Sequence, residues 1–326
     1  MAGYNTIRGL RVKYLSANPS NPESGEVWYN SVARNLKLYG LAPGTVAAGG
    51  SPGGNAGKSQ LGGCGTVTAG LMFGGEPTTG ATEEYDGTSW ANVNANPNTG
   101  TDMGSAGTQT AALWAGGTNS PSTASYEYDG TNWTTGGVMP IGLRFTVATC
   151  GTQVAAMVTG GFISPVASPR RSDAMQSYDG TSWTTIPQTY PSVGDTDSMR
   201  ASGTQTAILT SGGASSATQS QDWDGSSWTA NNPLVIGYSG GVQQGTQTAS
   251  LAATGHPASP PPYGNEIQTY DGTNWSLSPA TFVSGRAWAA SAGTTSSFLI
   301  ANGAPSVTTT EIYSGPALAV RTITTS

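Results

Sequence analysis

The sequence predicts an all-β fold made of six repeated units, and three observations carry that reading. The pentad Asp-Gly-(Thr/Ser)-(Ser/Asn)-Trp occurs five times, at Asp86–Trp90, Asp129–Trp133, Asp179–Trp183, Asp224–Trp228 and Asp271–Trp275, its aspartates spaced 43, 50, 45 and 47 residues apart. It alternates with a Gly-Thr element: GTVTAGLMFGG from Gly65, GTQTAALWAGG from Gly107, GTQVAAMVTGG from Gly151, GTQTAILTSGG from Gly203, and the weaker GTQTASLAATG from Gly245 and GTTSSFLIANG from Gly293. The 326 residues include 47 Gly and 20 Pro, a turn-rich composition, and no window spaces apolar residues as an amphipathic helix would.

Each unit reads as four short strands. Thr-Ala-Ala-Leu-Trp-Ala-Gly-Gly has strand length and ends in glycines that permit a bend. After a variable Ser/Thr/Pro loop, a Tyr-bearing strand runs into Asp-Gly, a strong hairpin-turn dipeptide, and the pentad tryptophan opens the return strand. The segment before each Gly-Thr supplies the fourth strand. A four-stranded unit of this length has the size of a propeller blade, so residues 51–326 are expected to form a six-bladed β-propeller. The sixth partner of the pentad is Tyr313-Ser314-Gly315. The tail ALAVRTITTS alternates apolar and polar residues, and is expected to form the outer strand of the last blade or to help close the ring.

Residues 1–50 carry no repeat. Val27–Tyr29 and Leu36–Tyr39 read as two strands about a polar turn, followed by a Gly- and Pro-rich linker over 42–57. A lone hairpin is marginal, so Trp28, Tyr29, Leu36, Leu38 and Tyr39 need a surface to pack against, either the repeat body or a docking partner. Residues 1–42 hold five basic side chains against two acidic ones, whereas the chain as a whole carries −6. The acidic body argues against non-specific nucleic-acid binding. Cys64 and Cys150 lie in different repeats, at no metal-type spacing and in no disulfide framework. The N-terminus has no apolar run after a basic start, so no signal peptide is read, and no stretch has the length of a membrane span.

Gly-Gly after an apolar strand, then Tyr-Asp-Gly, then Trp, resembles the kelch pattern. Arg144, Arg200 and Arg286 in the opening strands fit it, and the first two units lack that arginine. GTQTAALWAGG with EYDGTSW is more specifically similar to the kelch-like repeats in structural proteins of tailed bacteriophages, over residues 56–315. GEVWYNS with LKLY resembles a hairpin found in phage fibre and other virion proteins. These resemblances imply a non-enzymatic virion protein, either a tail-fibre or surface-fibre subunit presenting a propeller to a host glycan or a decoration protein. The N-terminal segment would contact other virion proteins, with further copies of the chain in a homo-oligomer. No cofactor, metal, nucleic acid or membrane insertion is expected.

The bland reading of each candidate residue comes from its repetition. Asp86, Asp129, Asp179, Asp224 and Asp271 read as turn-formers bonding their own backbone rather than a ligand ring or a sialidase-type Asp box, in which Asp and Gly are one residue apart. Trp90, Trp133, Trp183, Trp228 and Trp275 read as packing between units, each indole N–H finding a strand carbonyl; the alternative is a set of sugar platforms. Trp114, Trp223 and Trp288 lie off the pentad and are freer to be exposed. His256 sits in a Pro-rich loop, and Arg170-Arg171 read as a solvated pair. A glycan-cleaving enzyme would need two converging carboxylates, for which Glu127, Asp173, Asp195, Asp197, Asp222 and Glu266 are available. An intracellular kelch adaptor would carry a partner domain, which this chain lacks.

Overall fold

A computed structural model describes residues 12–117, 122–143, 148–163, 171–191, 196–214, 217–257 and 263–323. The regular elements among them are strands, arranged in seven four-stranded sheets. The chain divides into two compact units, one of residues 45–314 and one in which residues 1–44 join 315–326.

The larger unit is propeller-like and holds six of the sheets. Five follow chain order, each an antiparallel meander: Gly62–Thr66, Ala69–Phe73, Thr82–Tyr85 and Trp90–Val93 make the first. The first strands of consecutive sheets adjoin: Gly62–Thr66 beside Gly104–Thr108, then Ala148–Thr152, Met199–Thr204, Val242–Gly245 and Ala290–Gly293, which adjoins Gly62–Thr66 again. In every sheet that has a pentad, its tryptophan opens the fourth strand, as the sequence predicts.

The sixth sheet departs from expectation. Its first three strands are Ala290–Gly293, Ser297–Ala301 and Thr310–Ser314, but the fourth is Thr45–Ala48, with Val46 opposite Tyr313. A stretch expected to be linker therefore completes the last sheet. The expected occupant, Ala317–Thr322, pairs instead with Asn35–Ala42 in the smaller unit, Leu318 opposite Leu41. The reason is backbone supply: the returning chain start offers an antiparallel partner to Thr310–Ser314 before the tail is reached. The two compact units accordingly meet at 44/45 and 314/315.

The smaller unit is one sheet. Lys13–Leu15 runs parallel to Val27–Asn30, which forms the expected hairpin with Asn35–Ala42, and Ala317–Thr322 lies on the far edge. Trp28 is fully buried and donates from Nε1 to the Asn18 side chain at 3.2 Å, and Tyr29 stacks on Tyr14 at 4.9 Å. Leu36, Leu38 and Tyr39 are half-buried in its long strand.

The core of the larger unit is distributed. At least one apolar cluster lies between each consecutive pair of sheets, including the sixth and first, where Leu61, Met72 and Tyr85 meet Ala290, Leu299 and Ala301. Burying apolar area at every join makes each sheet depend on both neighbours. The glycine that opens each Gly-Thr element explains its own recurrence. Gly203, at φ +113°, would place a Cβ 2.1 Å from the Ala207 carbonyl oxygen, and no side chain fits there.

Candidate functional site

Five residues before each of these glycines stands one position whose backbone is left-handed wherever it is described: Gln60, Asp102, Ser198, Gly240 and Trp288, with φ from 52° to 62°. The amide of each bonds the carbonyl of its counterpart one repeat earlier wherever both are described: Asp102 to Gln60 at 3.2 Å, Gly240 to Ser198 at 3.1 Å and Trp288 to Gly240 at 2.6 Å. Gln60 donates to Trp288 at 2.7 Å and joins the first repeat to the last. Thr146, the sixth such position, lies outside the described residues. A fixed backbone thus carries five different described residues. A left-handed conformation is uncommon for non-glycine residues and costs roughly 1–3 kcal/mol each.

The first strands surround a cavity of about 400 Å³ lined by residues of all six repeats, among them Cys64, Ser105, Cys150, Arg200, Gln243 and Trp288. Among the described residues its lining includes no Asp, Glu or His. Trp288 is half-buried, and the rings of His256 and Tyr263 lie 6.4 Å and 6.5 Å from it and 5.5 Å from each other. Cys64 and Cys150 are free and buried, and burial pushes each thiol up to about 12.

The pentad residues take structural places. Each of Asp86, Asp129, Asp179, Asp224 and Asp271 accepts from the amides two and three residues on, at 2.7–2.9 Å. These bonds hold the carboxyls below their usual range; Asp224, also bonded by the Ser226 hydroxyl, lies at about 2. The tryptophans reach the preceding sheet, but not its carbonyls. Trp90 donates to Thr310 Oγ1 at 2.8 Å, Trp133 to Thr82 Oγ1 at 3.0 Å, Trp183 to Ser125 Oγ and Trp275 to Ser220 Oγ at 3.1 Å, and Trp228 to the Met175 sulfur at 3.2 Å.

Trp114 and Trp223, expected to be freer, are buried, since both point into the clusters between sheets. None of the described candidate carboxylates lines the cavity. Glu127 accepts from Tyr178 Oη at 2.7 Å, Glu266 accepts from Tyr238 Oη, Asp197 pairs with Arg171, and burial raises the pKa of Asp222. Asp173 gives its carbonyl to the Tyr190 amide. Arg144, Arg170 and Asp195 lie outside the described residues. Arg200 and Arg286 are both buried but are not equivalent: Arg200 stands three residues before its glycine and Arg286 seven.

Sequence reasoning missed a set of clamps. The third residue of four Gly-Thr elements, Gln109, Gln153, Gln205 or Gln247, spans two carbonyls of the preceding repeat; Gln153 Nε2 reaches Ala112 at 3.0 Å and Tyr128 at 2.8 Å. The recurrence of GTQ was the available signal. Glu83 performs a similar task, accepting from the amides of Gly53, Gly54 and Asn55 at 2.7–2.9 Å.

No protein-family model matches the chain, and no curated protein matches it significantly.

Proposed function

We propose that this chain is a non-enzymatic saccharide-binding protein of a phage particle, its six repeat sheets being the blades of a kelch-like propeller. The observation that carries the binding part is Trp288: a half-buried indole held in a left-handed backbone at a 400 Å³ cavity, with two further rings beside it. Indole faces stack on sugar rings, and rigid scaffolds bearing variable residues suit recognition. A lining with no Asp, Glu or His among the described residues offers no pair of acid–base groups there for glycoside cleavage. The virion part rests on the resemblance of the repeats and of the N-terminal hairpin to phage structural proteins. Attachment to other virion proteins is assigned to the smaller unit, in which Tyr14, Leu41 and Leu318 are exposed apolar side chains.

Binding of the purified chain to immobilised host-surface polysaccharides tests the reading. Trp288→Ala is expected to weaken binding at least tenfold while melting within a few degrees of the parent. Undiminished binding by that variant, or hydrolysis of the polysaccharide by the parent, would overturn it. Antibody labelling of particles tests the location.

A further inference from the structure

Three departures from the repeat fall at the join between the fourth and fifth repeats, and Trp288 of the sixth repeat lies against the same stretch of backbone. Three residues before the conserved glycine, five repeats place a small or short apolar residue, Gly62, Gly104, Ala148, Val242 and Ala290; the fourth places Arg200. One position earlier, the buried Leu61, Met103 and Met199 of other repeats are replaced in the fifth by Gly241, where a Cβ would lie 2.3 Å from the Arg200 guanidinium. Thr254 takes the place held by Gly74, Gly116, Gly160 and Gly212, at φ +57°. Its Oγ1 is fully buried without a partner among the described residues. Trp288 abuts the adjacent glycine, since a Cβ on Gly240 would lie 2.2 Å from its Nε1.

Arg200 itself is unusual. It is 3% exposed, yet its one hydrogen bond among the described residues runs from Nη2 to the Thr254 carbonyl at 3.1 Å, with the Tyr238 ring 5.4 Å away. Its Nε and Nη1 have no acceptor among those residues. No described carboxylate pairs with it, and the neighbouring Glu266 is occupied by Tyr238. Arg286 shows what a structural buried arginine looks like in this fold: it pairs with Glu311 and donates to the carbonyls of Asn302 and Thr309. Burial lowers the Arg200 pKa to about 10, which leaves the group charged at neutral pH. A buried, uncompensated cation is costly, and the other repeats show that a small residue fits. Local rule-breaking of this kind concentrates where a ligand is received.

We propose that Arg200 is the anion-binding end of this cavity and that its ligand is a carboxylate-bearing saccharide, the carboxylate on the guanidinium and the sugar ring toward Trp288. Two consecutive glycines, Gly240 and Gly241, bring the cation and the indole against one stretch of backbone. A guanidinium takes an oxyanion by charge-assisted hydrogen bonds. The proposal rests on the saccharide reading above and adds the charge of its ligand.

The test is calorimetric titration of the full chain with D-glucuronate, D-glucose and inorganic phosphate, for the parent, Arg200→Met and Trp288→Ala. The expected result is glucuronate binding at least tenfold tighter than glucose or phosphate in the parent. Arg200→Met should abolish that preference, and without ligand it should melt no lower than the parent because it removes an unpaired charge. If Arg200→Met does not fold, Arg200→Lys, which keeps the charge but loses the fork, is expected to weaken glucuronate several-fold. Undiminished glucuronate affinity in the Arg200 variant, with binding still lost in Trp288→Ala, overturns the proposal and leaves the saccharide reading in place. Equal affinity of the parent for glucuronate and glucose does the same. Arg200-dependent binding of phosphate but not glucuronate overturns the saccharide assignment, and no response to any probe overturns both readings.

Discussion

At the scale of single residues, repetition separates scaffold from site. The pentad tryptophans and the glutamine clamps recur and serve the joins, whereas Arg200 and Trp288 break the repeat and line the cavity. Gln153→Ala strands the carbonyls of Ala112 and Tyr128 and should cost about 1–3 kcal/mol in denaturant unfolding. Trp183→Ala empties a buried site that also holds the Ser125 hydroxyl and should cost about 3–5 kcal/mol; a variant melting like the parent would return the pentad tryptophans to the surface. The five aspartates give a pH dependence of fixed sign. Their folded pKa values lie below the unfolded value of about 3.9. Their contribution is therefore full above about pH 4 and lost as pH falls through the folded values, toward about 2 for Asp224. Thermal melting from pH 5 to 2 should show this decline, and Asp224→Asn should flatten it. The turn role of these aspartates was legible in Asp-Gly itself. Arg200 was read as part of a family pattern, because its neighbours Gly241 and Thr254 are distant in sequence and only the fold brings them together.

At the scale of elements, the strand pattern was legible and its last pairing was not. Tyr-Asp-Gly and the pentad tryptophan mark strand ends directly, because turn chemistry is local. Thr45–Ala48 carries no such mark: TVAA among glycines has linker composition, and only its partner Thr310–Ser314 makes it a strand. The tail ALAVRT alternates correctly for a strand, but alternation names no partner. A fragment of residues 45–314 should therefore fold cooperatively, whereas one beginning at residue 55 lacks the outer strand of the sixth sheet. The second fragment should melt well below the first, and circular dichroism melting compares them. Fragment 45–314 should also fail to join particles that lack this protein, whereas equal incorporation of that fragment and the full chain would assign docking to the repeats.

At the scale of the whole molecule, the joins between sheets and the cavity belong to one arrangement. Six joins, each with its own apolar cluster, hold the backbone that carries Gln60, Asp102, Ser198, Gly240 and Trp288. Side chains at those positions can change without disturbing the ladders, whose residues lie in the repeat motifs. The hydrogen bond from Gln60 to Trp288 and the strand Thr45–Ala48 both tie the first repeat to the last. A crystal structure of the full chain grown with D-glucuronate tests the central claim most directly. The expected result is six four-stranded sheets in a closed ring, Thr45–Ala48 beside Thr310–Ser314, and the glucuronate carboxylate on Arg200. Five or seven sheets, Ala317–Thr322 in the place of Thr45–Ala48, or a saturated crystal with no ligand at Arg200 would contradict it.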